Sequence, residues 1–190
     1  MDVENYLTCF GHPLGVRFVK KEIFVLRPPP LDRFLLQEIL QKVGFALWQI
    51  QGLESTLSRY LVKVHKLEPG VAREEAEAAF EKTRKKTLGQ LLVELRGQQD
   101  VPKDLAERLD NFVEHRNWLA HRSRSESRRE VYQPQRRPLL YKRLDWIADE
   151  ALSLSKDLCA ALENHLHTHG ITNEQIEANA AKIMRSWEEA

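Results

Sequence analysis

The chain has 190 residues, 42% of them hydrophobic and 30% charged, a balance that suits one soluble globular domain with a real core. Its formal net charge is +1, so any affinity for a polyanion has to come from a local patch. Cys9 and Cys159 stand far apart without metal or redox spacing, the acidic start Met1-Asp2-Val3-Glu4-Asn5 lacks a signal-peptide core, and no apolar run is long enough to span a bilayer; the expectation is a cytoplasmic protein with no disulfide framework, cofactor or membrane segment.

Residues 1–30 read as a short extended arm. Val16-Arg17-Phe18 and Ile23-Phe24-Val25-Leu26 carry β-type residues around Lys20-Lys21-Glu22, which is open to two readings: a hairpin, or a segment laid across helices. Pro28-Pro29-Pro30 is extended and separates this arm from a helical body.

A long helix is predicted next. Asp32 is placed as its N-cap, with Leu31 and Leu36 at the positions of a hydrophobic staple. Leu35, Ile39, Val43, Ala46, Ile50, Leu53, Leu57, Leu61 and Val64 recur at three- and four-residue steps, the stripe of a helix with one buried face. Gly44 and Gly52 lower its intrinsic helicity and leave room for another helix to come close. Glu68-Pro69-Gly70 is the expected stop.

A second segment spans about 72–86, with a small inner face of Ala76, Ala79, Phe80 and Thr83. Arg84-Lys85-Lys86 falls at its end, where cations suit the helix dipole. Leu88, Leu91, Leu92 and Leu95 carry a short helix to Gly97, and Pro102 suits the first turn of the next one. A loop is expected from Arg122 to Pro138, rich in arginine and broken by Pro134 and Pro138. The second long helix then runs from near Leu139 on a stripe of Leu140, Leu144, Ile147, Ala151, Leu154, Leu158 and Leu162, with Gly170 after its end. Thr172 and Gln175 form a capping box for a last helix whose inner face is Ile176, Ala180, Ile183 and Trp187. The fold expected is all-α: an antiparallel up-and-down bundle over 31–170, a C-terminal extra helix over 171–190, and the arm over 1–30.

One stretch breaks the pattern. In the helix after Pro102 the apolar positions are Leu105, Leu109, Phe112 and Leu119, and the vacant slot of that stripe holds Arg116. A cation where the period wants a core residue needs a partner or a purpose. Asn117 and His121 are four apart and share a face, whereas Arg116 and His121 are five apart and stand about 140° from each other in a regular helix.

At Arg116-Asn117-x-x-x-His121 the chain resembles the HEPN superfamily, small helical domains many of which are metal-independent endoribonucleases in toxin–antitoxin, CRISPR-associated and anti-phage systems. The family signature is an Arg, four residues and a His, commonly with a polar residue just after the Arg, at the end of a helix in a bundle. The resemblance covers about residues 32–170. Where other members carry a tyrosine two residues after the His, modified by a partner nucleotidyltransferase, this chain has Ser123.

The residue types suit that chemistry. Metal-free RNA cleavage uses the ribose 2′-OH as nucleophile on the adjoining phosphorus. Histidine is the residue type that moves protons near neutral pH, the role expected of His121, and Arg116 supplies a fixed planar cation against the charge on the phosphorane. Asn117 would hold the imidazole or the phosphate. The resemblance implies a homodimer in which His121 of both chains lines a basic groove. Arg122, Arg124, Arg128 and Arg129 would grip RNA phosphates there with little sequence reading. It also implies a toxin or defence role, with a cognate antitoxin or regulatory protein as a possible partner. Glu54, beside the stripe of the first long helix, is the expected carboxylate for Arg116, as a structural ion pair or as an orienting group.

Two other readings stand beside this one. The first is a non-catalytic helical module of the same fold that binds protein or RNA. The second is metal binding by His165 and His169, four apart on one helical face, although no nearby cysteine or acidic pair completes a ligand set. Trp118 reads as a core or dimer contact, and His115 as solvated.

Overall fold

The structure, a computed structural model, describes residues 31–66, 71–98 and 101–189. The hairpin reading of 1–30, Cys9 and the stop at Glu68-Pro69-Gly70 lie outside the described residues. The chain divides into Met1–Pro30 and Leu31–Ala190, and the helices described belong to the second unit.

Every regular element among the described residues is helical. The first long helix, α1 (Arg33–Tyr60), ends in a widened π turn, Leu61–Lys66. Then come α2 (Arg73–Thr83), α3 (Leu88–Arg96) and α4 (Lys103–Asn117), the last again running into a π turn, Trp118–Arg122. Two short helices, α5 (Ser123–Glu126) and α6 (Arg128–Tyr132), lead to α7 (Arg137–Thr168) and α8 (Asn173–Glu188).

The core is the meeting of the two long stripes. Ile39, Ala46, Ile50, Leu53, Leu57 and Leu61 are buried on one side, and Leu140, Leu144, Ile147, Ala151, Leu154 and Leu158 on the other. Each large aliphatic side chain removed from water there contributes about 1.5–3 kcal/mol. Leu88, Leu91, Leu92 and Leu95 of α3 and Leu105, Leu109 and Phe112 of α4 join the same cluster.

The two long helices run in the same sense. Tyr141 donates its hydroxyl to Glu38 at 2.7 Å, and Lys42 meets Asp145 at 2.7 Å. Residue numbers rise together along the two helices, so α1 and α7 are parallel neighbours. Helix α4 runs the other way on α7: Arg108 bonds Glu150 at 3.0 Å and Asp157 at 2.7 Å, His115 lies on Trp146, and Trp118 lies under Arg143. An antiparallel α4 beside a parallel long pair is what the intervening short helices allow, since they return the chain to its starting end before α7. At the Glu38 contact, burial first and the hydrogen bond second push the Tyr141 phenol up to about 12, so it stays a donor at any ordinary pH.

The helix ends agree with the sequence pattern in some places and not in others. Asp32 occupies the N-cap of α1, but its carboxylate makes no cap hydrogen bond, and Leu36 of the expected staple is exposed. Thr172 and Gln175 do form the capping box of α8, and Thr87 with Gln90 forms a second, unexpected one at α3. Helix α7 closes at Gly170, whose φ of 78° is the left-handed conformation that favours glycine. Ile171 N–H then reaches the Leu166 carbonyl at 3.1 Å. The stretch expected as a loop after Arg122 is mostly α5 and α6. The chain leaves helix only at Ser127 and over residues 133–136, and Pro138 sits in the first turn of α7, where its missing N–H costs nothing. The expected inner face of α8 is not an inner face: no residue of α8 is buried, and Trp187 is 71% exposed.

Truncation inside the seam should cost far more than truncation on the same helix outside it. Leu144→Ala is expected to lower unfolding stability by about 2–5 kcal/mol. Exposed Leu139→Ala is expected to change it by less than about 0.5 kcal/mol, both read from urea titrations followed by far-UV circular dichroism.

Candidate functional site

Leu105, Leu109 and Phe112 pin α4 to the core, and Arg108 ties its flank to α7, where Ser153 adds a third bond at 3.0 Å. Trp118 and Leu119 are buried just past the helix end. Anchors on both sides of residues 116 and 117 fix that turn in space.

Arg116 is half-buried, and its guanidinium has two partners. One Nη group donates to Glu54 Oε1 at 3.2 Å, and the other to Asn117 Oδ1 at 3.3 Å. Glu54 Oε1 also accepts the backbone N–H of Leu88 at 3.3 Å, at the first turn of α3, where an anion is favoured by the helix dipole. One carboxylate therefore joins α1, α3 and α4, and it answers the question posed by a cation in an apolar stripe. The expected pairing of Arg116 with Glu54 is found. Asn117 is exposed beside it, with its carbonyl oxygen turned to the guanidinium.

The chain widens immediately after Asn117. The Ser123 N–H bonds to the Trp118 carbonyl, five residues back. In a regular helix five residues overshoot a full circle by about 140°. In a turn bonded five apart they overshoot less, so the widening swings His121 back toward the side of Arg116 and Asn117. His121 is exposed, and among the described residues no hydrogen bond joins its imidazole to either of them. Residue spacing gives no sign of this local pitch, because Trp118-Leu119-Ala120-His121-Arg122 has no breaker in it.

The four arginines expected to grip RNA are all exposed. Arg122 lies 3.7 Å from Glu126, while Arg124, Arg128 and Arg129, on α5 and α6, have no ion pair among the described residues. Arg137 is different: half-buried, it donates to the Val131 carbonyl at 3.4 Å and closes the break before α7. The Arg84-Lys85-Lys86 run is taken up partly in ion pairs, Arg84 with Glu81 at 2.8 Å and Lys86 with Glu94. Lys66 of the first π turn shares Glu94, at 2.7 Å.

Two neighbours of the motif have no clear signal in the sequence. Arg143 of α7 lays its guanidinium over the Trp118 ring, 3.5 Å from the centroid, so the buried indole is roofed by a cation. His115, expected in solvent, is half-buried against Trp146 with ring centroids 4.5 Å apart. Its pKa is lowered, by burial first and by the Arg143 charge second, with Glu114 opposing. Both are polar residues outside the apolar stripes of their helices, and period alone gives them no direction.

His165 and His169 stack with centroids 4.4 Å apart, and the His169 ring bonds the His165 carbonyl at 2.8 Å. Among the described residues no group of three or more His, Cys, Asp or Glu converges on a metal-sized point. No helix among them is long and apolar enough to cross a membrane. Compared with known protein families, curated proteins and solved structures, the chain shows no significant match, so its own residues carry the reading.

Both the ion pair and the half-buried imidazole can be tested by stability. Glu54→Gln removes the charge but keeps the size, and it should destabilise the protein by about 1–3 kcal/mol, the cost of leaving a half-buried guanidinium short of its charged partner. Charging His115 is harder in the fold than in the unfolded chain, so the unfolded chain binds more protons as pH falls below about 6.5 and stability declines there. The melting temperature of His115→Gln should consequently fall less than that of the parent protein between pH 7.5 and pH 5, measured in parallel scans.

Proposed function

We propose that the protein is a metal-independent endoribonuclease of the HEPN type, with Arg116, Asn117 and His121 acting at the end of α4. The observation that supports this reading best is the fixed guanidinium of Arg116, held from behind by Glu54, with an exposed His121 five residues on in a widened turn. In the reaction, His121 takes the proton from a ribose 2′-OH as the oxygen attacks the adjoining phosphorus. The P–O5′ bond breaks, the 5′ oxygen takes a proton from water or from the imidazolium formed on His121, and a 2′,3′-cyclic phosphate remains. Arg116 offsets the charge on the nonbridging oxygens, and Asn117 orients the guanidinium or the phosphate. Exposed Arg124, Arg128 and Arg129 bind the neighbouring backbone. In this reading the protein works as a homodimer, in a toxin or defence setting.

A second reading draws on the same ion pair. The Arg116–Glu54 bridge joins three helices, which is reason enough to keep an arginine there in a non-catalytic helical module that binds protein or RNA.

Incubation with mixed RNA in EDTA separates the two. Cleavage is expected in the chelator, with products ending in 2′,3′-cyclic phosphate and DNA left intact. His121→Ala should lose about 10²–10⁴-fold in rate, as removal of a general base does. An inert parent protein, or a His121→Ala variant as fast as the parent, leaves the adaptor reading standing. Replacing Arg124, Arg128 and Arg129 together with alanine should weaken binding to single-stranded RNA of any sequence. It should also flatten the dependence of log affinity on log salt, by about 0.7 for each phosphate no longer neutralised.

A further inference from the structure

Helix α1 is apolar on both sides. The inner stripe fills the core, but the outer side carries Phe34, Leu40, Phe45 and Trp48, which are 79%, 59%, 55% and 74% exposed. Phe34, Gln41, Phe45, Trp48 and Gly52 succeed one another at steps of seven, four, three and four, so they form a second stripe and not a scatter. A second apolar stripe calls for a covering partner. Among the described residues no helix supplies one, because a Cβ built on Gly44 or Gly52 meets nothing within 4 Å. The room that those glycines leave for a neighbouring helix is filled by none of the described helices.

We propose that this outer face of α1 is the docking surface for a second copy of the chain, packed about a twofold axis near Trp48. Three features favour a copy over other occupants. The first is charge. Residues 43–53 contain no ionisable side chain; the charges of this side stand toward its N-terminal end, where Glu38 and Lys42 are bonded to Tyr141 and Asp145 of α7 and Arg33 is exposed, and Gln37 and Gln51 border the rest. Helices that lie on membranes carry Lys or Arg along the polar edge, and an RNA needs a row of cations; across residues 43–53 this face has none, and of the two cations before it Lys42 is paired with Asp145. A glutamine rim pairs with its own copy, since each amide both donates and accepts.

The second feature is symmetry. Gly44 and Gly52 flank Trp48 four residues away on either side, so the pattern reads alike from both ends. An antiparallel copy presents its glycine hollows to this indole and receives the same in return, which is what an isologous contact requires. The third is area. At about 150–250 Å² for a whole aromatic side chain, the exposures of Phe34, Phe45 and Trp48 leave roughly 450 Å² of aromatic surface in water. A patch of that size marks an interaction surface, and with Leu40 and the glutamine rim it approaches the roughly 800 Å² per partner of a standard interface.

Around α1, Glu54 stands about 120° from Trp48 and about 180° from Phe45, so the face and the Arg116 pair are on different sides of the helix. The inference shares a homodimer with the ribonuclease reading but places the contact on α1: an RNA-cleaving dimer indifferent to Trp48 overturns this one alone, and an inert dimer that depends on Trp48 overturns the other alone.

The test is the oligomeric state of the full chain by sedimentation equilibrium at protein concentrations from about 1 to about 100 μM, a range set by the micromolar-or-tighter affinity of standard interfaces. A species of twice the 22.2 kDa chain is expected. Trp48→Arg and Trp48→Glu should each sediment as monomers with unchanged helical dichroism, and an equimolar mixture of the two should recover dimer, because their charges meet across the axis. If either substitution disrupts the fold, the milder Phe45→Gln is read instead and should weaken association at least about 10-fold, the loss expected of a buried interface aromatic. Trp187→Arg, on exposed α8, should leave the dimer intact. A parent that stays monomeric at the top of that range, a dimer indifferent to Trp48 and Phe45 variants, a dimer lost on Trp187→Arg instead, or capture of the parent by neutral or anionic vesicles would each overturn the assignment.

Discussion

The contact on which the rest of the structure depends is the apolar seam between α1 and α7. Both helices are about as long as the domain, and each contributes an unbroken row of Leu, Ile and Ala at helical spacing. Neither α3 nor α4 is long enough to be stable alone in water, so their helicity comes from what they pack against. The seam supplies that surface, and α4 in turn presents its last turn at a fixed height above α1. The motif is thus held by burial at Leu109, Phe112, Trp118 and Leu119, with polar contacts setting only the orientation of its side chains.

Glu54 is a single carboxylate shared by three helices. It accepts from an amide at the start of α3 and from Arg116, so its charge is stabilised twice and its position is fixed from two helices. A guanidinium backed in this way loses little freedom when it meets a phosphate, which is the condition for strong electrostatic stabilisation of a transition state. The Trp118–Arg143 stack and the His115–Trp146 contact reinforce the same corner from the α7 side.

Much of this architecture is legible in the residues alone. The inner stripes of α1 and α7, the Thr172–Gln175 cap, the turn at Gly170 and the pairing of Arg116 with Glu54 all come from period and from the chemistry of an unpaired cation. Three features are not legible in that way. Period says which side of a helix is buried but not which way its neighbour runs, so the parallel sense of α1 and α7 is out of its reach. Proline spacing suggests a loop after Arg122, yet Pro134 and Pro138 disturb only their own neighbourhoods, and Arg, Ser and Glu before them are tolerable in short helices. The outer side of α1 is hidden by the inner one: a strong stripe of Leu and Ile accounts for the helix, and Phe34, Phe45 and Trp48 fall between its members.

The parallel alignment of the long helices has an electrostatic consequence of its own. Two helix macrodipoles side by side in the same sense repel, where antiparallel neighbours would attract, and here both carbonyl-rich ends come to one end of the bundle. That end is where the chain gathers Arg59, Lys63, His65 and Lys66 on one helix and His165, His167 and His169 on the other. The histidine tract then needs no ion to account for it. Its rings stand, with those cations, where two aligned dipoles present their negative ends.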